Sequence, residues 1–192
     1  MSGQRNPLRN QLRERRAAIP VPERVGAAAA VAGNLSGLDA FRDASLVAGY
    51  WAVGGELPLH AVVSRLPASA RYCLPVLRDD GTLAFAPWRT GDALVTNRFG
   101  IPEPADVTGM LAPSELDVVL LPLVGFTRDG HRLGTGGGWY DRSFAFRQLR
   151  AAPPLLVGIG FACQQVDACD AQPWDVPLDA LATERELLVF KR

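Results

Sequence analysis

The chain has 192 residues, 48% of them hydrophobic and 21% charged, which suits one domain with a single sizeable core. Twenty basic and twenty acidic side chains balance, which argues against a general nucleic-acid binder, and no apolar run approaches the ~18 residues of a membrane span. Lys191 is the only lysine against nineteen arginines, so a Walker-type phosphate loop and Schiff-base chemistry fall away, and two histidines with three cysteines leave little for a zinc site. In chain order, the opening MSGQRNPLRNQLRERR has positive charge but no apolar stretch behind it, so it reads as a helix and not as a secretory signal. Asn6-Pro7 is expected as N-cap and first helical position, with the helix running to about Ala18, where Ile19-Pro-Val-Pro22 breaks it. Arg9, Arg13 and Arg16 share one face of this helix, and Leu8 and Leu12 beside it anchor it to the core. A second, Ala-rich helix is expected from Glu23 to about Ala32, ending at Gly33-Asn34.

Residues 45–53 (SLVAGYWAV) read as a buried strand, Gly54-Gly55 as a turn and 57–66 (LPLHAVVSRL) as a helix. RYCLPVL (71–77) and TLAFAPW (82–88) read as strands joined at Asp80-Gly81, followed by an irregular arm over 89–104. The nearly continuous apolar run 117–126 (DVVLLPLVGF) suits a parallel strand covered on both faces. Thr127 to Gly130 reads as a hairpin turn, 139–150 as a helix, 154–161 as a buried strand and 180–190 as a final strand or pair. Helices alternating with apolar strands give an α/β domain with a mostly parallel sheet, a single domain over 1–192. An odd, sparse set of cysteines, with no CxxC, points to free thiols and a reducing cytoplasm.

The most demanding segment is RLGTGGGWYDR, residues 132–142, where Gly134, Gly136, Gly137 and Gly138 crowd into five positions. Glycine is entropically costly, so such a cluster implies backbone folded around a ligand, unless it is a mobile surface loop. It lies between a buried strand region and a helix start, an edge where open α/β sheets bind ligands and where backbone N–H groups favour anions. The pattern is not GxGxxG, because Trp139 stands at the last glycine position, so a nucleotide-phosphate cradle fits better than a dinucleotide fold. Asp141 either reaches a nucleotide-borne Mg²⁺ or is an ordinary acid in a helix's first turn. Trp139 and Tyr140 either stack on a planar ligand or sit in the core or rim. The arginine face of the first helix either recognises phosphate or is solvated. Glu56, just past a predicted strand, is placed to hydrogen-bond a ring nitrogen and its amino group, or is a polar loop residue. Asp175 is a second acid near a metal, or a turn residue.

Together these segments resemble the 5-formyltetrahydrofolate cyclo-ligase family. The Arg-rich opening, Gly55-Glu56, Tyr72-Cys-Leu-Pro75, Gly100-Ile-Pro-Glu-Pro104, RLGTGGGWYDR, Gly160-Phe161 with Gln164-Gln165, Asp175 and Ala182-Thr-Glu184 occur in that family's order over nearly the whole chain. The resemblance implies a three-layer α/β/α Rossmann-like fold. It implies conversion of 5-formyltetrahydrofolate to 5,10-methenyltetrahydrofolate with ATP and Mg²⁺, releasing ADP and phosphate. Arg5 and Arg9 would then contact ATP. Arg132, Gly134, Thr135, Gly136, Gly137 and Gly138, followed by Trp139 and Tyr140, would form the nucleotide segment. Asp141 and Asp175 would bind metal. Trp51, Glu56 and Tyr140 would hold the folate, and Arg132 and Asp141 would carry the catalytic roles. The implied partners are a folate and ATP, without nucleic acid or membrane, acting on a monomer. Arg5 replaces a more typical lysine, Thr135 and Trp139 stand where tyrosine is common, and Gln172 and Trp174 stand where Glu and His are frequent. The competing readings are a folate-binding protein without catalysis on the same scaffold, and a different ATP-dependent kinase or ligase that reuses the phosphate site.

Overall fold

The computed structural model describes residues 5–191. In chain order these form α1 (Arg5–Ala17), α2 (Val21–Leu35), the single turns α3 (Asp39–Arg42) and α4 (His60–Val63) on either side of β1 (Leu46–Ala48), and the hairpin β2 (Arg71–Leu77) and β3 (Leu83–Pro87). There follow β4 (Leu94–Thr96), β5 (Pro102–Pro104), β6 (Val118–Pro122), β7 (Gly125–Phe126), β8 (Arg132–Leu133), α5 (Trp139–Ser143), β9 (Leu155–Ile159), β10 (Ala180–Ala182) and β11 (Leu187–Val189). The main sheet has seven strands in the order β11-β10-β9-β6-β1-β2-β3. β2, β1, β6, β9 and β10 run parallel, and β3 and β11 close the two edges antiparallel.

The alternation of β6 shows how the sequence builds three layers. Val118 and Leu120 face one way and pack with Val47, Leu74, Val157 and Ile159 beneath Ala28, Val31 and Leu35 of α2. Val119 and Leu121 face the other way, with Cys73, Leu156 and Leu181, and meet Phe144, Val176 and Leu178. A strand buried on both faces has no polar side to spare, which is why its sequence reads as an unbroken apolar run. The second helical layer is thin, because α5 gives way at Phe144 to a 3₁₀ turn over Ala145–Gln148.

Several expected elements are shorter than the sequence suggests. The 117–126 run is not one strand: sheet pairing stops at Pro122, and Gly125–Phe126 turns to pair with Arg132–Leu133 around the Thr127–Gly130 turn. Gly125 allows the close approach of α1, since a Cβ there would stand 2.6 Å from Leu12 Cδ1. The 45–53 strand is cut back to Leu46–Ala48; Gly49, which still donates to the Cys73 carbonyl at 3.0 Å, leaves room for the Tyr72 ring. The 57–66 helix shrinks to α4, since Leu57 and Leu59 are spent on the core as loop residues. The 139–150 helix breaks because Arg147 is drawn inward, where Asp179 and the Pro154 carbonyl receive its guanidinium. The 89–104 arm is not wholly irregular: β4 and β5 pair within it. Arg5 and Asn6 are already helical, so Asn6 is not the N-cap, and the residues before Arg5 lie outside the described ones. α2 begins at Val21 and not at Glu23, with Pro20 in the N-cap position and Pro22 in its first turn, where a missing N–H is harmless. That helix also runs on past Gly33-Asn34 to Leu35.

Gly158 of β9 gives a direct test of how tightly the sheet packs. A Cβ there would fall 2.5 Å from Leu178 Cδ1 and 3.0 Å from Leu123 Cδ2. Gly158→Ala should therefore destabilise the fold by about 1–3 kcal/mol through overpacking. The expected reading is a lower urea midpoint with an unchanged slope; an unaltered midpoint would show that β9 has room to spare.

Candidate active site

Numbering only the five parallel strands, their spatial order is 2-1-3-4-5, so the chain reverses direction across the sheet between β1 and β6. Segments leaving the carboxyl ends of those two strands diverge there, and such reversals are where open α/β sheets open a crevice. A cavity of about 770 Å³ occupies this position. Tyr50, Trp51, Val53 and Glu56 reach it from beyond β1, Pro122 from β6, and Pro75 and Leu77 from the end of β2. The glycine loop 134–138 and Arg132 form another wall, and Arg5 and Arg9 of α1 enter beside it. Every site residue expected from the sequence lines this one cavity: Arg5, Arg9, Trp51, Glu56, Arg132, Gly134 to Gly138, Trp139, Tyr140, Asp141 and Asp175.

The glycine loop is bound to α1 by arginines. Arg9 Nε donates to the Gly134 carbonyl at 2.9 Å, and Arg13 donates to the Thr135 carbonyl at 3.3 Å. Those contacts leave the loop's N–H groups outside the bonds to α1. Gly136 and Gly138 have φ of 110° and 66°, which side-chain-bearing residues rarely adopt. A Cβ on Gly138 would also lie 2.7 Å from Arg142. The arginine face of α1 is therefore not merely solvated. Arg9 and Arg13 meet the loop, and Arg16, 4% exposed, donates to the carbonyls of Gly54 at 2.8 Å and Leu123 at 3.3 Å. Burial, followed by the charges of Arg5 and Arg13, pushes the Arg9 pKa down, while Asp175 opposes the shift. Crowded cations of this kind are relieved by an arriving anion.

Two carboxylates stand among these cations. Arg132 donates to Asp141 Oδ1 at 2.6 Å, and Val176 N–H donates to the same oxygen at 3.2 Å. Arg5 pairs with Asp175 through Oδ2, which also accepts from the Gln172 N–H at 2.9 Å. Among the described residues the hydrogen bonds thus fall on one oxygen of each carboxylate and leave Asp141 Oδ2 and Asp175 Oδ1 without one. The buried Nε atoms of Arg5 and Arg132, and that of Arg16 outside the cavity, also lack a partner among the described residues. An unpartnered, buried guanidinium N–H is unusual and suits an anionic acceptor supplied by a ligand. No group of three or more His, Cys, Asp or Glu side chains is placed to hold a metal among the described residues. Asp141 and Asp175 are a two-carboxylate set, the number that magnesium commonly takes when phosphates complete its shell.

Aromatic side chains form a further part of the cavity lining. Trp51 meets Trp88 edge-on at 5.8 Å, and Tyr140 stacks on Phe144 at 6.3 Å with the Arg132 guanidinium 5.8 Å from its ring. Glu56 accepts the Val53 N–H at 3.1 Å. Burial pushes the Glu56 carboxyl upward, partly offset by that hydrogen bond and by the Arg16 charge. Burial, and after it the Glu56 charge, also raises the phenols of Tyr50 and Tyr140. Asn97, Phe99 and Ile101 of the 89–104 arm complete the wall, and Phe99 meets Trp139 edge-on at 5.8 Å. Sequence reasoning missed these three, although Gly100-Ile-Pro-Glu-Pro104 marked the arm. It placed Arg16 on a face that recognises phosphate or is solvated, whereas Arg16 is buried against the Gly54 and Leu123 carbonyls.

With the geometry in place, comparison with known proteins is decisive. The sequence model of the 5-formyltetrahydrofolate cyclo-ligase family matches residues 1–184. The chain belongs to that family. It is 34% identical to the 5-formyltetrahydrofolate cyclo-ligase of Haemophilus influenzae over 178 residues, covering 91% of this chain and 94% of the relative. It is 40% identical to that of Escherichia coli K12 over 144 residues, or 73% and 78% of the two chains. The NMR structure of 5,10-methenyltetrahydrofolate synthetase from Aquifex aeolicus superposes with a TM-score of 0.82 at 26% identity, covering 98% of this chain and 93% of the other. The synthetase from Mycoplasma pneumoniae gives 0.74 at 26% identity, covering 94% and 99%.

The raised Glu56 carboxyl predicts a pH-dependent stability. An acid whose pKa is higher folded than unfolded binds more protons in the folded state. Its contribution is complete below the ordinary value of 4.5 and is lost as pH rises through the folded value. Glu56→Gln removes the buried charge, so its melting temperature should exceed that of the parent at pH 8, and the gap should close by pH 4. A gap equal at both pH values would show that Glu56 is not held against its own ionisation.

Proposed function

We propose that this family member uses the cavity to convert 5-formyltetrahydrofolate to 5,10-methenyltetrahydrofolate with ATP, releasing ADP and phosphate. The observation that carries the reading is the union, in one cavity, of arginines and glycine-loop backbone with aromatic side chains and a largely buried carboxylate. The chemical difficulty is a formyl amide, whose carbon is a weak electrophile and whose oxygen leaves poorly. Transfer of the γ-phosphoryl group to the formyl oxygen removes both obstacles. The bond from Pγ to the β,γ-bridging oxygen breaks as the bond from Pγ to the formyl oxygen forms, and ADP keeps the bridging electron pair. The N10 lone pair then attacks the activated carbon, the carbon–oxygen bond breaks, phosphate leaves with that pair, and the N10 proton is released.

The protein's part is placement and charge stabilisation, as in other phosphoryl transfers. Arg5, Arg9, Arg132 and the amides of Gly134 to Gly138 hold the triphosphate and offset charge that builds on the transferring group. Before nucleotide enters, Arg132 and Arg5 rest on Asp141 and Asp175. With a triphosphate bound, the guanidinium groups turn their unpartnered N–H groups to it. Asp141 and Asp175 would hold a magnesium ion, which when bound neutralises phosphate charge. Trp139 borders the nucleotide where it meets the arm, and Tyr140 lies between the nucleotide and folate regions. Glu56 accepts hydrogen bonds from the pterin ring N–H and amino group, and Trp51 and Tyr140 wall the pterin. Residues 1–192 act as one domain and as a monomer in the cytoplasm. Cys73 and Cys169 are buried free thiols and Cys163 an exposed one, as suits a reducing compartment. Among the described residues no helix is long and apolar enough to cross a membrane.

Asp141 gives the sharpest test. Its partner Arg132 has a side chain only 4% exposed, so Asp141→Ala would strand a buried charge at a cost of about 3–5 kcal/mol and confuse unfolding with loss of chemistry. Asp141→Asn keeps an acceptor for Arg132 and the Val176 N–H. It should lower kcat by about 10²–10³-fold, the scale of losing one preorganised charge contact, while folate binding persists. Formation of the near-UV band of the methenyl product, followed together with ADP release, reads both outcomes. Parental rates in Asp141→Asn at limiting magnesium would refute the metal assignment, and ADP without the methenyl band would refute the substrate.

A further inference from the structure

The Gly54-Gly55 turn that delivers Glu56 to the cavity is gripped by two arginines that do not line it. Gly54 and Gly55 have φ of 56° and 79°, so the turn rests on two consecutive residues with the widest backbone freedom. The turn is closed across its own ends, where Glu56 N–H donates to the Val53 carbonyl at 3.1 Å and Val53 N–H donates to the Glu56 carboxylate at 3.1 Å, and the two glycines between them are held from outside. Its two carbonyls are each taken by a guanidinium: Arg16 donates to Gly54 O at 2.8 Å, and Arg24 of α2 donates to Gly55 O at 2.8 Å. Arg16 also reaches Leu123 O beyond β6, so one buried side chain ties the segments leaving both strands at the crevice. Arg24 donates to Arg16 O at 2.6 Å and to Ile19 O at 2.9 Å, which fixes its planar fork to the α1–α2 connection, and its guanidinium lies 5.8 Å from the Phe161 ring centre. A Cβ on Gly55 would stand 3.0 Å from Arg24, so the turn and the fork are fitted to each other.

We infer that Arg24, acting with Arg16 through the Gly54 and Gly55 carbonyls, is a positioning residue for Glu56 and so sets affinity for the folate and not for the nucleotide. This rests on the reading of Glu56 as the pterin contact. Neither arginine lines the cavity; the carbonyls they bind belong to the Gly54-Gly55 turn, to Leu123 beyond β6 and to Arg16, Ala17 and Ile19 at the end of α1, and none belongs to the glycine loop. Rigid donors in a fixed plane suit this task, because they hold a loop that glycine leaves free.

The test measures KM for 5-formyltetrahydrofolate and for ATP in Arg24→Ala, Arg24→Lys, Glu56→Gln and the double variant Arg24→Ala/Glu56→Gln. Loss of a charged hydrogen bond to the turn should raise the folate KM about tenfold in Arg24→Ala while the ATP KM and kcat stay near parental. Arg24→Lys keeps the charge but loses the fork, so its folate KM should fall between the two. In the Glu56→Gln background Arg24→Ala should add no further rise, because the two act on one contact. Equal rises in both KM values, or the same added rise without Glu56, would mean that Arg24 supports the fold in general and would overturn the proposal. A raised folate KM in Glu56→Gln with none in Arg24→Ala rejects the clamp alone. An unchanged folate KM in Glu56→Gln rejects the pterin reading and the clamp with it. Should Arg24→Ala not fold, a parental folate KM in Arg24→Lys overturns the proposal on its own.

Discussion

Everything in the site follows from the reversal of strand order between β1 and β6. Two neighbouring parallel strands send their continuing chains to opposite sides, and the gap between those chains cannot be filled by either connection. The sheet thus dictates a cavity at its carboxyl edge. The β1 side contributes aromatic and carboxylate groups, and the β6 side contributes the hairpin β7–β8 with the glycine loop beyond it. α1 lies across the hairpin because Leu12 packs with Val124 and Leu133, and this packing is what carries Arg5 and Arg9 to the cavity.

The electrostatic design is one of borrowed partners. Burying guanidinium groups without counter-charges is expensive, so Arg132 and Arg5 are satisfied by Asp141 and Asp175. Neither pair saturates its members: each arginine retains an unpartnered Nε, and each carboxylate makes its hydrogen bonds through one oxygen. Arg9 is held by a neutral carbonyl and an amide oxygen and is crowded by like charges. Such a site is under-neutralised by construction and gains most from a polyanion. Glu56 presents the opposite case, a carboxylate whose ionised form is resisted by burial and which gains from a ligand offering donors. Both ends give up stability for binding, a common trade at functional sites.

Much of this was legible in the sequence, for identifiable reasons. The unbroken apolar run of β6, buried on both faces, and the four clustered glycines report local constraints that residue type alone encodes, and the fold class and the glycine loop could be read from them. The residues that line the cavity could be named in advance because the family motifs mark them by position. What stayed hidden depends on distant packing. Gly49 makes room for the Tyr72 ring, and in the 3₁₀ turn after α5 Arg147 turns in toward Asp179 across the fold. Neither partner is near in sequence. The same holds for the arm: Asn97 organises its tip by accepting the N–H groups of Phe99 and Ile101, but only the folded chain brings that tip against Trp139. Arg16 was visible as the third arginine of a face, yet its buried role needed the Gly54 and Leu123 carbonyls to be placed first.

The central claim is that one cavity joins the triphosphate to the formyl group so that the formyl oxygen leaves as part of phosphate. A single turnover with a heavy-oxygen label in the formyl group of 5-formyltetrahydrofolate tests it most directly, with mass analysis of the phosphate released. The account predicts that the label appears in inorganic phosphate, one labelled oxygen for each methenyl product formed. Unlabelled phosphate, with the heavy oxygen recovered in water, would contradict it.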